Sequence, residues 1–363
     1  MESTGIKSKI VAGAAIVAAA CIIGGAIVFA VNKTKPAPPK ETVQGYLGGE
    51  KVSLFEDPDF QKLASDAGLD VQYKKAGSLD MMTADKTGVD YLFPSSQAAV
   101  EYGKQKGVET GDSDIVLNSP IVLYTYKDVA DSLVKSGVMS KDGDVYKLDA
   151  AKAVDAMLQD KTWRDLGWTQ GYGQFRIDST DPSKSNSGNE WAALVATVLN
   201  GGQPATVDSV SRDADKIKHV FSKSGWMESS SEDSFNQFLT LGEGSKPMMI
   251  GYESQILDLA ANQPNIYTQA KGDVVVAYIT PTVWSTHVII PTDDKGVELR
   301  DLLKTSAVQK LAWEKHGFRG ATYQGTDSVS RFKVPGTMDK ITSVVELPAP
   351  DAMDAIIKTV SSK

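Results

Sequence analysis

Five polar loops carry the residues whose types suit ligand binding: GGEK at 48–51, AGS at 76–78, PSSQ at 94–97, STDPSKSNSG at 179–188 and GYES at 251–254. Hydroxyls and side-chain amides both donate and accept hydrogen bonds. A helix N-terminus behind such a loop adds unpaired N–H groups and the positive end of a dipole, which suits an anion or a polar molecule. Residues 183–189 supply three serines and two asparagines just before an amphipathic helix. One cap needs one side chain, so the rest are surplus. Ser187 with Glu190 has the spacing of a capping box. Each loop also has an ordinary reading: Ser95 and Ser96 as N-caps, Lys51 as a solvated lysine, Tyr252 and Glu253 as a capped strand end.

Motifs for catalysis are near-misses. KTG stands at 86–88 and Ser-x-x-Lys at Ser132/Lys135 and Ser330/Lys333, but in the order opposite to that of the serine β-lactamases and without Ser-Asp-Asn. The sequence has no G-x-S-x-G, H-E-x-x-H, C-x-x-C or G-x-x-x-x-G-K-[ST], and GEGSKP at 242–247 only imitates the last. His219, His287 and His316 have no ligand spacing to one another. His287 draws the most attention, because TPTVWSTH joins two apolar strands across a possible cleft. Glu56 and Asp57 suit a helix dipole. No catalytic residue, metal or cofactor is therefore expected.

The chain of 363 residues carries a net charge of −8 with no basic block, which argues against nucleic acid as a partner. Its single cysteine, Cys21, excludes a disulfide framework or a thiolate metal site in the folded part. Residues 10–31 form an uncharged apolar run of 22 residues. As a helix rising about 1.5 Å per residue, that run can cross a bilayer core of roughly 30 Å. It is read as a retained membrane anchor rather than a cleaved signal, after a cytoplasmic tail at 1–9; AAAC at 18–21 offers a lipidation site as an alternative. The Pro-rich segment 32–45 is a stiff linker.

From there apolar runs alternate with amphipathic stretches, as in an α/β protein. Strands are predicted at KVSLF (51–55), LDVQY (69–73), VDYLFP (89–94), SPIVLYTY (119–126), GQFRIDS (173–179), KPMMIGYES (246–254) and DVVVAYITP (273–281). Helices are predicted around DPDFQKLASDAG, SSQAAVEYGKQKG, KLDAAKAVDAMLQD, NEWAALVATVLN, SEDSFNQFLTLGEG and residues 296–318. Ligands of open α/β sheets bind beyond the carboxyl ends of the strands, where these loops fall, except GGEK, which lies just before or at the start of its strand.

Over about residues 46–320, in this order, the chain resembles the type 2 extracellular substrate-binding proteins of ABC importers, especially a bacterial branch near the oxyanion binders. The resemblance rests on GGEKVSLFEDPDF, VDYLFPSSQAA, SPIVLYTYKDVADSL, STDPSKSNSGNEWAALVA, GYESQ, VVAYITPTVWSTHVIIP and SAVQKLAWEKHGFR. It implies a two-lobed periplasmic-binding fold with two crossing hinge strands. Lobe one would hold 46–124 and, with the C-terminal helices, 282–363; lobe two would hold 125–281. It further implies a monomer, tethered through 10–31 with its folded domain outside the cytoplasm, that delivers a small polar or anionic ligand to an ABC permease. By position, Glu50, Lys51, Ser78, Ser95 and Ser96 would contact ligand from lobe one, and Ser185, Asn186, Ser187, Tyr252 and Glu253 from lobe two. The alternative is a surface sensor or interaction module on the same fold. An enzyme is a third class, for which the sequence supplies no base-activated nucleophile.

Overall fold

The structure, a computed structural model, describes residues 40–270, 272–320 and 328–362. The apolar run at 10–31 lies outside the described residues. Among the described residues, no helix is long and apolar enough to cross a membrane.

The strands are β1 (Glu41–Leu47), β2 (Leu69–Lys75), β3 (Tyr91–Phe93), β4 (Asp114–Tyr126), β5 (Met139–Asp142), β6 (Val145–Asp149), β7 (Met248–Tyr252), β8 (Val274–Thr280), β9 (Trp284–Pro291) and β10 (Arg319–Gly320). Helices α1 (Val52–Glu56), α2 (Pro58–Asp66), α3 (Asp80–Thr83) and α4 (Gln97–Gln105) lie in the first part of the chain. They are followed by α5 (Lys127–Lys135), α6 (Ala150–Leu158), α7 (Asn186–Leu199), α8 (Val207–Arg212), α9 (Ala214–Ser222), α10 (Ser231–Leu241), α11 (Glu253–Asn262) and α12 (Pro264–Ala270). Helices α13 (Asp294–Leu303), α14 (Ser306–His316) and α15 (Pro350–Ser361) close the chain.

The strand order is β2-β1-β3-β9-β4-β8-β6-β5, with β7 and β10 also paired to β4. The long strand β4 is shared between two lobes. Its residues Asp114–Pro120 pair with β9 and its residues Ile121–Tyr126 pair with β7 and β8. The return from β8 to β9 makes the second crossing. In the first lobe the side chains alternate about the sheet, as strand geometry requires. Tyr91, Phe93 and Ile289 join one apolar core, and Leu92, Val288 and Ile290 join the other.

Two expected strands are absent. KVSLF is a 3-10 turn (Gly49–Lys51) running into α1, and the first strand is the preceding ETVQGYL, whose burial alternates. A five-residue apolar run has no length by which to separate strand from helix. GQFRIDS forms no strand and pairs only through single bridges at Gln174 and Asp178. Helix α7 was expected to bury one side, yet Asn186–Thr197 is buried on every side. It is covered on its several sides by α6, α9, β7, β4 and α15, and α15 also packs on α8 and α9.

Helix α1 is held by Phe55, which is fully buried with its ring 4.8 Å from Phe60, 6.3 Å from Tyr91 and 6.0 Å from Phe93. Asp57 caps α2, accepting from the Asp59 N–H at 2.7 Å, and Pro58 takes the first helical position. We expect Phe55→Ala to destabilise the fold by about 3–5 kcal/mol through the cavity it leaves, measured by chemical denaturation.

Candidate functional site

Strands β1, β2 and β3 are parallel, and Leu47, Lys75 and Phe93 stand side by side at their carboxyl ends. The three loops that follow therefore leave the sheet at one level. They bring Gly48–Glu50, Ala76–Ser78 and Ser95 to one wall of a cavity of about 280 Å3. The opposite wall comes from the second lobe: Lys184, Ser185 and Asn186 at the start of α7, and Ser229–Ser231 at the start of α10. The site is thus a cleft between lobes at the carboxyl edge of a sheet.

Beneath the floor lies a buried charge cluster. Lys51 has no exposed surface, and its ammonium has three donors and three acceptors: Glu50 Oε1, Ser95 Oγ at 2.8 Å and His287 Nδ1 at 3.1 Å. It also stands 4.8 Å from the Phe93 ring centroid. The Ser95 hydroxyl in turn donates a hydrogen bond to Glu50 Oε1. Burial alone would raise the Glu50 pKa, but the Lys51 ammonium and His287 outweigh it and hold the carboxyl well below the usual range. Burial lowers Lys51, and Glu50 opposes that shift. Burial and the Lys51 charge push His287 down to about 4, so its imidazole is neutral. With Nδ1 accepting from Lys51, the proton sits on Nε2, which has no partner among the described residues.

Glu190, one turn into α7, is fully buried and neither carboxylate oxygen has a hydrogen-bond partner among the described residues. Burial pushes it up to about 8 against Asn186 and Ser285, which lower it, and the charge of Glu50 adds a smaller upward push that Lys51 opposes. It is neutral at pH 7. Beside it the Asn186 amide ties the lobes together, donating to Ser95 O at 3.1 Å, Tyr252 Oη at 3.1 Å and Ser285 Oγ at 3.3 Å. Lys75 of the first lobe reaches Glu232 of the second at 2.7 Å.

Of the ten residues singled out in the sequence, Glu50, Ser78, Ser95, Ser185 and Asn186 line the cavity. The other five lie behind its wall. Lys51 is consumed by the buried cluster. Ser96 caps α4, accepting from the Ala99 N–H at 3.3 Å. Ser187 is buried against Thr180, Oγ to Oγ1 at 2.9 Å. The expected capping box at Ser187 and Glu190 does not form, because the helix starts earlier, at Asn186, and Thr180 accepts from the Gly188 N–H at 2.8 Å. Tyr252 is buried and accepts from Asn186, and Glu253 is buried in an ion pair with Arg319 at 2.7 and 3.0 Å and accepts from Tyr278. Several wall residues were not singled out: Gly48, Gly49, Lys75, Gly77, Asp80, Lys184 and Ser229–Ser231. The serine run SSS at 229–231, directly before a helix, repeats the signal of residues 183–189.

No family model matches the sequence, and no curated protein matches it. Among solved structures the chain is similar to the substrate-binding protein of an ABC transporter from Agrobacterium tumefaciens, with 12% identity and a TM-score of 0.57, covering 91% of this chain and 96% of that one. It is similar at 12% identity and a TM-score of 0.53 to the Trichodesmium protein IdiA (FutA) in complex with iron and citrate, covering 89% of this chain and 100% of that one. The same identity and TM-score relate it to the periplasmic binding protein AfuA from Actinobacillus pleuropneumoniae with fructose-6-phosphate bound, covering 88% and 96%. The chain has the fold of the type 2 periplasmic substrate-binding proteins. At such identities the likeness is one of fold.

Removing one member of a buried pair leaves a bare charge, so Lys51→Met should cost about 3–5 kcal/mol in denaturant unfolding at pH 7. Glu190 gives a pH signature. Its folded pKa lies above its unfolded one, so between about pH 4.5 and 8 the unfolded chain has lost a proton that the native chain keeps. Its contribution to stability therefore falls as pH rises through that window. We expect Glu190→Gln to gain on the natural protein in melting temperature between pH 5 and pH 8.

Proposed function

We propose that this chain is an extracytoplasmic solute-binding protein that captures a small polar or anionic ligand between its lobes and delivers it to an ABC-type permease. The observation that carries the reading is the cavity of about 280 Å3 between the lobes, walled by serines, an asparagine and helix starts from both sides. Neutral donors and helix N-termini hold a polar ligand without a buried cationic partner. The two shared crossings supply a hinge, so opening and closing need no change within either lobe. The fold likeness points the same way, and the solved neighbours described above are binding proteins.

On this reading Glu50, Ser78, Ser95, Ser185 and Asn186 touch the ligand, while Lys51, Ser96, Ser187, Tyr252 and Glu253 position them. The apolar run at 10–31 is proposed as the tether that keeps the domain at the outer face of the membrane. Catalysis has no support in the cluster under the floor: Ser95 donates to a carboxylate that is itself paired with Lys51, and His287 is buried behind both.

The test uses a close contact between lobes. A Cβ on Gly77 would meet the Lys184 carbonyl oxygen of the opposite lobe at 1.8 Å. Gly77→Ala should therefore wedge the closed cleft while disturbing neither lobe. Melting temperature is measured against oxyanions, amino acids, polyamines, sugars and metal ions. A ligand at a hundred times its dissociation constant stabilises by about 2.7 kcal/mol. In Gly77→Ala that ligand should bind at least tenfold more weakly, while the ligand-free melting temperature moves by no more than about 3 °C, the shift for roughly 1 kcal/mol in a domain of this size. Equal affinity in the variant would contradict capture between the lobes.

A further inference from the structure

A second cavity, of about 140 Å3, opens on the other side of the Gly49–Glu50 turn. Its walls also come from both lobes: Glu50 and Ser53 from one, and Glu232, Phe235, Ser254 and Asp258 from the other. Its chemistry differs from that of the first cavity. Lys75 and Lys184 bring ammonium groups to the first, whereas no lysine, arginine or histidine lines the second.

Three carboxylates line the second cavity, and two of them keep an oxygen in reserve. Glu232 meets Lys75 through Oε2 alone. Asp258 receives Ser53, Asn262 and His316 all on Oδ1. Glu232 Oε1 and Asp258 Oδ2 thus accept from no donor among the described residues. Ser254 supplies an independent sign of a missing partner. It is only 1% exposed, it lines the cavity, and its Oγ has no hydrogen-bond partner among the described residues. Its place is fixed by its own N–H, which donates to Ser119 Oγ at 3.1 Å. A buried hydroxyl left unpaired is costly, and a ligand group that reaches it recovers that cost. The Phe235 side chain adds an aromatic wall, suited to a cation.

Acceptors in excess of donors, net acidity and an aromatic wall call for a group that is cationic and carries N–H donors. No group of three His, Cys, Asp or Glu residues among the described residues is arranged to hold a metal ion. We propose that the second cavity is a subsite for an organic ammonium group at one end of the captured solute, whose remainder occupies the first cavity. The proposal rests on the capture reading and extends it. Gly49 and Glu50 line both cavities, so the two ends of such a ligand would lie on either side of that turn.

The test compares probes that differ only in the amine: ethanolamine phosphate with 2-hydroxyethyl phosphate, putrescine with 1,4-butanediol, and β-alanine with 3-hydroxypropionate. Binding to the full protein is measured by calorimetry, and again in Asn236→Trp, which plugs the second cavity from an exposed position on its rim. In at least one pair the amine member should bind tenfold or more tightly than its partner. Asn236→Trp should abolish that preference and leave the amine-free member unchanged, and Glu232→Gln should reduce the preference. Equal binding within every pair, a preference that survives the plug, or no binding by any amine would overturn the subsite. The capture reading fails separately, when a ligand that binds is indifferent to Gly77→Ala.

Discussion

The site is organised by one costly act, the burial of the Lys51 ammonium under its floor. An ammonium out of water demands an acceptor for each of its three protons. Here the acceptors come from the adjoining Glu50, from Ser95 after β3 and from His287 on β9. Three separate segments are therefore bound to one atom. The Gly48–Lys51 turn cannot move relative to the sheet edge without stranding a charge. The same cation keeps Glu50 ionised, and burial, aided by that cation at His287 and by the Glu50 charge at Glu190, keeps His287 neutral and Glu190 protonated.

With that floor fixed, the rest of the first-lobe wall follows from register. Leu47, Lys75 and Phe93 end their strands together, so loops far apart in sequence emerge as neighbours. The facing wall is carried by α7 and α10, whose starts present serines and an asparagine. Between the walls the protein places serines and an asparagine together with the charged groups of Glu50, Lys75, Asp80 and Lys184. Asn186 and the Lys75–Glu232 pair bridge the lobes.

The loops were legible because strand, small polar residues and helix recur in that order, and Ser78, Ser95, Ser185 and Asn186 all line the cavity. Depth was not legible. Nothing local distinguishes Lys51 from a solvated lysine, since two of its three acceptors lie 44 and 236 residues away. Glu253 was read as facing the cleft, because its partner Arg319 comes 66 residues later. The first strand was misplaced by one segment, since KVSLF is too short for its period to decide. The membrane reading of 10–31 concerns residues outside those the structure describes. The pattern of strands and helices, by contrast, followed from periodicity and from glycines such as Gly68 and Gly107, which end their helices at positive φ.

The central claim is that a ligand draws the two lobes together around the cavity. The most direct measurement is the distance between spin labels on the lobes, at Lys62→Cys on α2 and Asp215→Cys on α9, with Cys21 replaced by Ser. It is recorded by pulsed electron resonance with and without the compound that most raises the melting temperature. The expected result is a shorter and narrower distance distribution at saturation. A distribution unchanged by a saturating ligand would contradict the claim.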